Sequence, residues 1–95
     1  MDKGYSFYLI AYDISKNRTR AKLARYLESL GARVQGSVFE IYLNEQLLKQ
    51  VMKKCKPWIK EEDSLRIYPL CSTCCGMIKI IGKGNITPGP ELIIV

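Results

Sequence analysis

The spacing of hydrophobic positions changes along the chain, and these changes divide it into strands and helices. Residues 5–13 (YSFYLIAYD) are rich in aromatic and branched side chains and end in a polar cluster, which is typical of a strand. Both faces of this strand carry apolar residues, so we expect both faces to be covered. From about residue 17 to residue 30, Leu23, Leu27 and Leu30 follow a helical period, and Gly31 is the natural stop.

The middle of the chain predicts a second strand region and a second helix. Residues 33–43 have strand composition interrupted at Gly36 and Ser37, which leaves a bend, a bulge or a break into two strands as alternatives. Asn44 is placed to cap the helix that follows, and Pro57 kinks or ends that helix. The predicted buried stripe of this helix consists of Leu47, Leu48, Val51, Met52 and Cys55.

The last third of the chain predicts two strands and a tail. Residues 65–70 (LRIYPL) and 77–81 (MIKII) are the predicted strands, with a CSTCC loop between them. We assign residues 1–84 to one domain and 85–95 to a flexible connector and apolar tail (ELIIV). This order predicts an α+β fold, a ferredoxin-like βαββαβ sandwich with an additional C-terminal strand. Because no further helix remains to cover the other sheet face, we predict a homodimer through that face.

Composition narrows the class of protein. The chain has 95 residues, a formal net charge of +6 and 47% hydrophobic residues, which describes one small basic domain and excludes a multidomain enzyme or a disordered chain. No apolar run approaches the roughly 20 residues of a membrane span, so we expect a soluble, unprocessed, cytoplasmic protein with no membrane partner. Histidine is absent, which removes the usual general base near neutral pH and the commonest nitrogen ligand for a metal.

Positive charge is concentrated on the two predicted helices. Arg18, Lys22 and Arg25 fall on the side opposite the leucines, whereas Arg20 projects toward the end of the first strand. Such a surface suits phosphate binding with strong salt dependence, and an ordinary solvated helix face is the alternative. The residues predicted to contact nucleic acid are Lys16, Arg18, Lys22, Arg25, Lys49, Lys53 and Lys56.

Two further groups of residues are candidates for metal chemistry. Asp13 ends the first strand just before a cationic helix, so its carboxylate is a candidate ligand for a hard cation. One carboxylate is few for metal-assisted phosphodiester cleavage, although a dimer would bring two copies together; capping of the helix, or pairing with Arg20, is the alternative. Cys71, Cys74 and Cys75 form C-x-x-C-C, half of a zinc site without its other half, and small buried thiols in a turn are the favoured interpretation.

Four segments of the chain are distinctive in combination: the Tyr-Asp pair that ends the first strand, the basic first helix, VQGSVFE at 34–40 and DSLRIYPL at 63–70. Together they resemble the CRISPR-associated Cas2 family. The resemblance implies a ferredoxin-like homodimer that shares Mg²⁺ between protomers, in members with metal-dependent nuclease activity on RNA or duplex DNA. It implies that the catalytic residues are Asp13, Tyr12, Arg20, Arg33 and Phe39, with Asp13 as the metal ligand. Gly36 stands where the family commonly has tyrosine.

The resemblance also implies a role in spacer acquisition during CRISPR adaptation. The expected partners are a second copy of the chain, the Cas1 integrase and duplex prespacer DNA, with single-stranded RNA as a further substrate. Two functions follow: a hydrolase in which paired Asp13 residues hold Mg²⁺, and a non-catalytic DNA-bridging subunit in which Asp13 is structural. We favour bridging as the biological role and keep nuclease activity beside it. The terminal ELIIV segment suits strand addition to a partner's sheet or to the other protomer, and a frayed tail is the alternative.

Overall fold

The structure is a computed structural model that describes residues 4–82, 84 and 87. Four strands and two long helices follow one another in the predicted βαββαβ order; a 3₁₀ turn at Lys56–Trp58 follows the second long helix, and a short third helix follows the last strand. No helix among the described residues is long and apolar enough to cross a bilayer. The elements are β1 (Ser6–Asp13), α1 (Asn17–Glu28), β2 (Ala32–Gln35), β3 (Val38–Leu43), α2 (Glu45–Cys55), β4 (Ser64–Leu70) and α3 (Ser72–Cys75).

The four strands form one antiparallel sheet in the order β2-β3-β1-β4. β1 lies inside the sheet and pairs with β3 on one side and β4 on the other. Because successive side chains of a strand point to opposite faces, register assigns each residue to one of two faces. The predicted α+β, ferredoxin-like architecture is confirmed by this order of elements and strands.

The two long helices cover one face of the sheet and build the core there. Leu23 and Leu27 of α1 and Val51 of α2 are fully buried against Ile10 and Phe39 of the sheet. As predicted, Asn44 caps α2, since its side-chain oxygen accepts a hydrogen bond from the Leu47 N–H at 2.7 Å. Met52 departs from the predicted stripe: it is 54% exposed, because the stripe that meets the core follows Leu48, Val51 and Cys55.

The interruption at Gly36 separates two strands. β2 and β3 form a hairpin with a register irregularity between Arg33 and Gln35, so the break and the bulge both occur. The predicted strand at residues 77–81 is wrong: this segment follows α3 and pairs with no strand of the described part of the chain. The CSTCC segment, predicted as a loop, contains the helical turn α3. The predicted ELIIV tail lies outside the described residues, as does most of the connector.

Candidate functional site

Asp13 is the last residue of β1 and lies on the sheet face away from the helices. It pairs in register with Ser64 of β4, and it shares its face with Ala11 and Leu9, two and four residues earlier on β1. Its side chain is exposed, and no ion pair of the described residues includes it. An accessible carboxylate at a strand end is free to bind a cation or a partner.

Both structural alternatives for Asp13 are wrong. The residue at the N-cap of α1 is Lys16, and no side chain caps that helix. Arg20 does turn back toward the end of β1, as predicted, but its guanidinium donates to the Ile14 carbonyl at 2.5 Å and to the Asn17 side chain. The Asp13 carboxylate is therefore neither a cap nor the partner of Arg20.

A carboxylate that the sequence analysis did not single out fixes the loop after Asp13. Asp63 Oδ1 accepts the backbone N–H of Ser15 at 3.1 Å, and Asp63 Oδ2 accepts the backbone N–H of Lys60 at 3.1 Å. These bonds, the one from Lys60 foremost, hold the pKa of Asp63 below its ordinary value. In the sequence, Asp63 stands out only by its position just before Ser64. Ser64 indicates the site only once the sheet register is known to pair it with Asp13.

Two of the predicted arginines line one open cleft. Its volume is about 460 Å³. Arg33 lies with its guanidinium carbon 5.4 Å from the centre of the Phe39 ring and also pairs with Glu28 at 3.4 Å. Two guanidiniums in one cleft make it suited to an anionic ligand such as a phosphate. The residues that line it are Asn17, Arg20, Ala21, Arg33, Gly36 and Ser37.

Tyr12 and Phe39 form the buried wall behind this cleft. Tyr12 is 5% exposed and Phe39 is fully buried, and their rings stack with centres 6.2 Å apart. The Tyr12 hydroxyl donates to the Gly36 carbonyl at 3.2 Å, and the Tyr12 N–H donates to the Ser37 carbonyl at 3.1 Å. Four of the five predicted site residues, Tyr12, Arg20, Arg33 and Phe39, thus lie in or next to the cleft, whereas register places Asp13 on the face opposite Tyr12 and Phe39.

Gly36 leaves this cleft open. A Cβ atom at this position would have no heavy atom within 4 Å, and the backbone there does not adopt the left-handed conformation that only glycine tolerates well. Neither backbone strain nor steric crowding therefore requires glycine at this position.

The predicted basic surface is exposed. Lys16, Arg18, Lys22 and Arg25 are all solvent-accessible on or next to α1, on the side opposite the buried leucines. Lys49, Lys53 and Lys56 are likewise exposed on α2 and the turn after it. None of the seven takes part in an ion pair within the described part of the chain. Their charges are therefore available to phosphates.

The sheet face opposite the helices is partly apolar and remains accessible. Leu9, Ala11 and Val38 on this face are only half-buried, and Tyr68 is 44% exposed. Arg66, also overlooked in the sequence, donates to the Tyr68 hydroxyl at 3.3 Å on the same face. We call this surface, with Asp13 at its end, the open sheet face. Its exposed apolar area is typical of an interaction surface.

The cysteines differ sharply in exposure. Cys55 is buried in the core, and burial raises its pKa to about 11. Cys71 and Cys74 are exposed and Cys75 is half-buried, so the expectation of small buried thiols is wrong for the first two. Exposure follows from their place in α3, a single turn beyond the end of the sheet. No group of three or more histidine, cysteine or carboxylate side chains in the described residues is arranged to hold a metal. This holds for the C-x-x-C-C motif and for the surroundings of Asp13 in a single protomer.

Comparison with known proteins gives one consistent result. The family model described as CRISPR associated protein Cas2 matches residues 6–78. A CRISPR-associated endoribonuclease Cas2 of Chloroflexus aurantiacus is 48% identical over 87 residues, covering 90% of each chain. A CRISPR-associated endonuclease Cas2 of Thermus thermophilus is 42% identical over 90 residues, covering 94% of this chain and 92% of that protein.

Solved structures agree with the sequence comparisons. A hypothetical protein from Thermus thermophilus superposes with a TM-score of 0.78 at 40% identity, covering 90% of this chain and all of that one. A chain of a partial Cas6-RT-Cas1–Cas2 complex superposes with a TM-score of 0.62 at 37% identity, covering 80% of this chain and 84% of that one.

Proposed function

The chain belongs to the CRISPR-associated protein Cas2 family, and on that premise we propose that it is a subunit of CRISPR adaptation that binds duplex DNA as a homodimer and bridges the Cas1 integrase. We propose in addition that it has Mg²⁺-dependent endonuclease activity on RNA or DNA. Relatives named endoribonuclease or endonuclease support the activity, and a similar chain in a complex that contains Cas1 supports the partner. The observation that carries DNA binding is the row of exposed, unpaired cations along α1.

Nucleic-acid binding is tested through its salt dependence. The observed binding constant for duplex DNA falls with salt, with a slope of about −0.9 for each phosphate contact. Replacing Arg18, Lys22 and Arg25 by glutamine should make the slope shallower by roughly 2 to 3 and weaken binding. A matched control replaces Lys54, Lys60 and Lys79, which removes the same number of charges outside the predicted surface. Equal slopes for the two triple variants would place the DNA surface elsewhere.

The homodimer rests on the open sheet face. Its half-buried apolar residues lie beside Asp13, so a twofold axis across this face would bring two Asp13 carboxylates toward each other. Leu9→Glu should therefore yield a monomer in sedimentation equilibrium, because it buries a charge at such an interface. Met52→Glu, which adds the same charge at an exposed apolar residue on the helical side, is the control. A dimer that survives Leu9→Glu would contradict this interface.

The metal depends on that dimer. One protomer offers a single exposed carboxylate at this position, which does not make a complete hard-cation site, so the Mg²⁺ ligands would be the two Asp13 side chains of the pair. Bound Mg²⁺ supplies an activated water and stabilises negative charge on the phosphate. Arg20 and Arg33 would bind a phosphate of the same nucleic acid in the cleft between α1 and the β2–β3 hairpin.

The decisive experiment compares wild type and Asp13→Asn on labelled duplex DNA and single-stranded RNA, with Mg²⁺ or with EDTA. Metal-dependent cleavage that disappears in the variant, with dimer and binding unchanged, supports the nuclease. Salt-sensitive binding without cleavage, alike in both proteins, supports the second candidate, a non-catalytic scaffold. The specific observation favouring the scaffold is that the exposed cations need no metal to hold DNA.

A further inference from the structure

The α3 turn carries two exposed thiols that the proposed DNA-binding and nuclease roles do not use. Cys71 precedes the turn and Cys74 lies within it, three residues later. The Cys74 N–H donates to Cys71 Sγ at 3.4 Å, so the backbone already holds the two residues against each other. Residues three apart in a helical turn have Cβ atoms about 5 to 6 Å apart, and a small adjustment brings them within the span of a disulfide.

We propose that Cys71 and Cys74 are a redox-active dithiol that forms an intramolecular disulfide by exchange with a low-molecular-weight disulfide. The Cys71 thiolate attacks one sulfur of the small disulfide, forms a mixed disulfide and releases one thiol. Cys74 then loses its proton and attacks the Cys71 sulfur, which releases the second thiol. The protein dithiol is oxidised by two electrons and the small disulfide is reduced to two thiols.

The roles of the two sulfurs follow from their hydrogen bonds. The hydrogen bond from the Cys74 backbone N–H lowers the pKa of Cys71, whereas the side-chain interaction of the Cys74 thiol with Cys71, together with Coulomb repulsion between the two sulfurs, raises the pKa of Cys74. Attack requires the thiolate, so Cys71 is the attacking group and Cys74 the resolving one. Cys75 is half-buried, its thiol donates to the Leu70 carbonyl at 3.8 Å, and burial raises its pKa. Cys75, next to Cys74 in the chain but half-buried, is therefore an internal control for the effect of exposure on thiol reactivity.

The test equilibrates the full chain in glutathione buffers from fully reduced to pure disulfide, quenches in acid, alkylates free thiols and digests with trypsin. Cleavage after Arg66 and Lys79 leaves Cys71, Cys74 and Cys75 in one peptide of residues 67–79. We expect that peptide to lose about 2 Da on oxidation, with only Cys75 alkylated. A peptide that stays fully reduced in pure disulfide overturns the proposal, as does an intermolecular bond on a non-reducing gel.

Three variants separate this pair from other pairings. Cys75→Ser should keep the bond, and Cys71→Ser and Cys74→Ser should each abolish it. Cys74→Ser should also accumulate the glutathione adduct on Cys71 faster than Cys71→Ser accumulates it on Cys74. A bond that is lost in Cys75→Ser, or faster capture at Cys74, contradicts the assignment. The peptide masses and the pattern of thiol alkylation depend neither on DNA binding nor on nuclease activity.

Discussion

Tyr12→Phe tests whether the Tyr12 hydroxyl acts in structure or in reaction. The substitution removes one hydrogen bond, from the Tyr12 hydroxyl to the Gly36 carbonyl at 3.2 Å, and keeps the ring that stacks on Phe39. A hydrogen bond of this kind contributes about 0.5–1.5 kcal/mol net. Because Gly36 is exposed, water can replace the lost donor, so we expect the lower part of that range.

The assay is urea unfolding at fixed protein concentration. With an m-value of roughly 1 kcal/mol per molar urea for a domain of this size, the midpoint should fall by about 0.5–1 M. Tyr5→Phe is the matched control, since Tyr5 is 42% exposed and lies just before β1, and its midpoint should move much less. Cleavage and DNA binding by Tyr12→Phe should remain within about threefold of wild type, because a change in rate of that size corresponds to well under 1 kcal/mol.

The opposite pattern would refute this reasoning. An unchanged midpoint combined with loss of cleavage as severe as that of Asp13→Asn would mean that the Tyr12 hydroxyl acts on the reacting atoms. The stacked, 5% exposed position of Tyr12 would then describe a resting arrangement that changes when nucleic acid binds.

Three further predictions concern stability. Gly36→Ala should raise the free energy of unfolding by about 0.4–1 kcal/mol, because the added Cβ has free space. Gly31→Ala should lower it by about 1–3 kcal/mol, because the added Cβ would lie 2.5 Å from the Glu40 carbonyl oxygen. Urea unfolding curves that rank the two variants in the opposite order would contradict this prediction. Asn44→Ala should cost about 1 kcal/mol through loss of the α2 cap, checked by the same curves. Because the pKa of Asp63 is lowered in the folded protein, this carboxylate stabilises the fold above its unfolded pKa, about 4, and the stabilisation is lost as pH falls through the lower folded pKa. Asp63→Asn should therefore make the free energy of unfolding less dependent on acid pH. Parallel profiles of unfolding free energy against pH for wild type and variant would show that the hydrogen bonds of Asp63 do not stabilise the fold.

Local patterns predicted most of the fold because the elements are locally consistent. α2 combines a polar cap at Asn44 with a helical period of buried residues through Cys55, and both signals agree with its tertiary position. Residues 77–81 (MIKII) have a composition typical of a strand and still form none, because a strand needs a hydrogen-bonding neighbour and composition does not provide one. Ile81 is consequently fully exposed in the single chain.

The site was predictable where it depends on sequence neighbours. The prediction that Arg20 reaches the end of β1 is confirmed, because the end of a strand and the first turns of the next helix are adjacent in space. Asp63 and Arg66 were missed because their relevance comes from pairing β4 with β1, about 50 residues earlier in the chain. The spacing of residues within a single strand or helix does not reveal which residues of two different strands lie opposite each other.

The bond between Asp63 and Ser15 joins residues 48 positions apart, and it therefore has a consequence for biosynthesis. A ribosome makes the Asp13 end of β1 early, but the carboxylate that fixes the following loop, and the β4 strand beside it, arrive only after two thirds of the chain has been made. Shorter nascent chains expose an apolar central strand without its β4 neighbour. The earliest-translated part of the candidate site thus gains its neighbours only after β4 has been made.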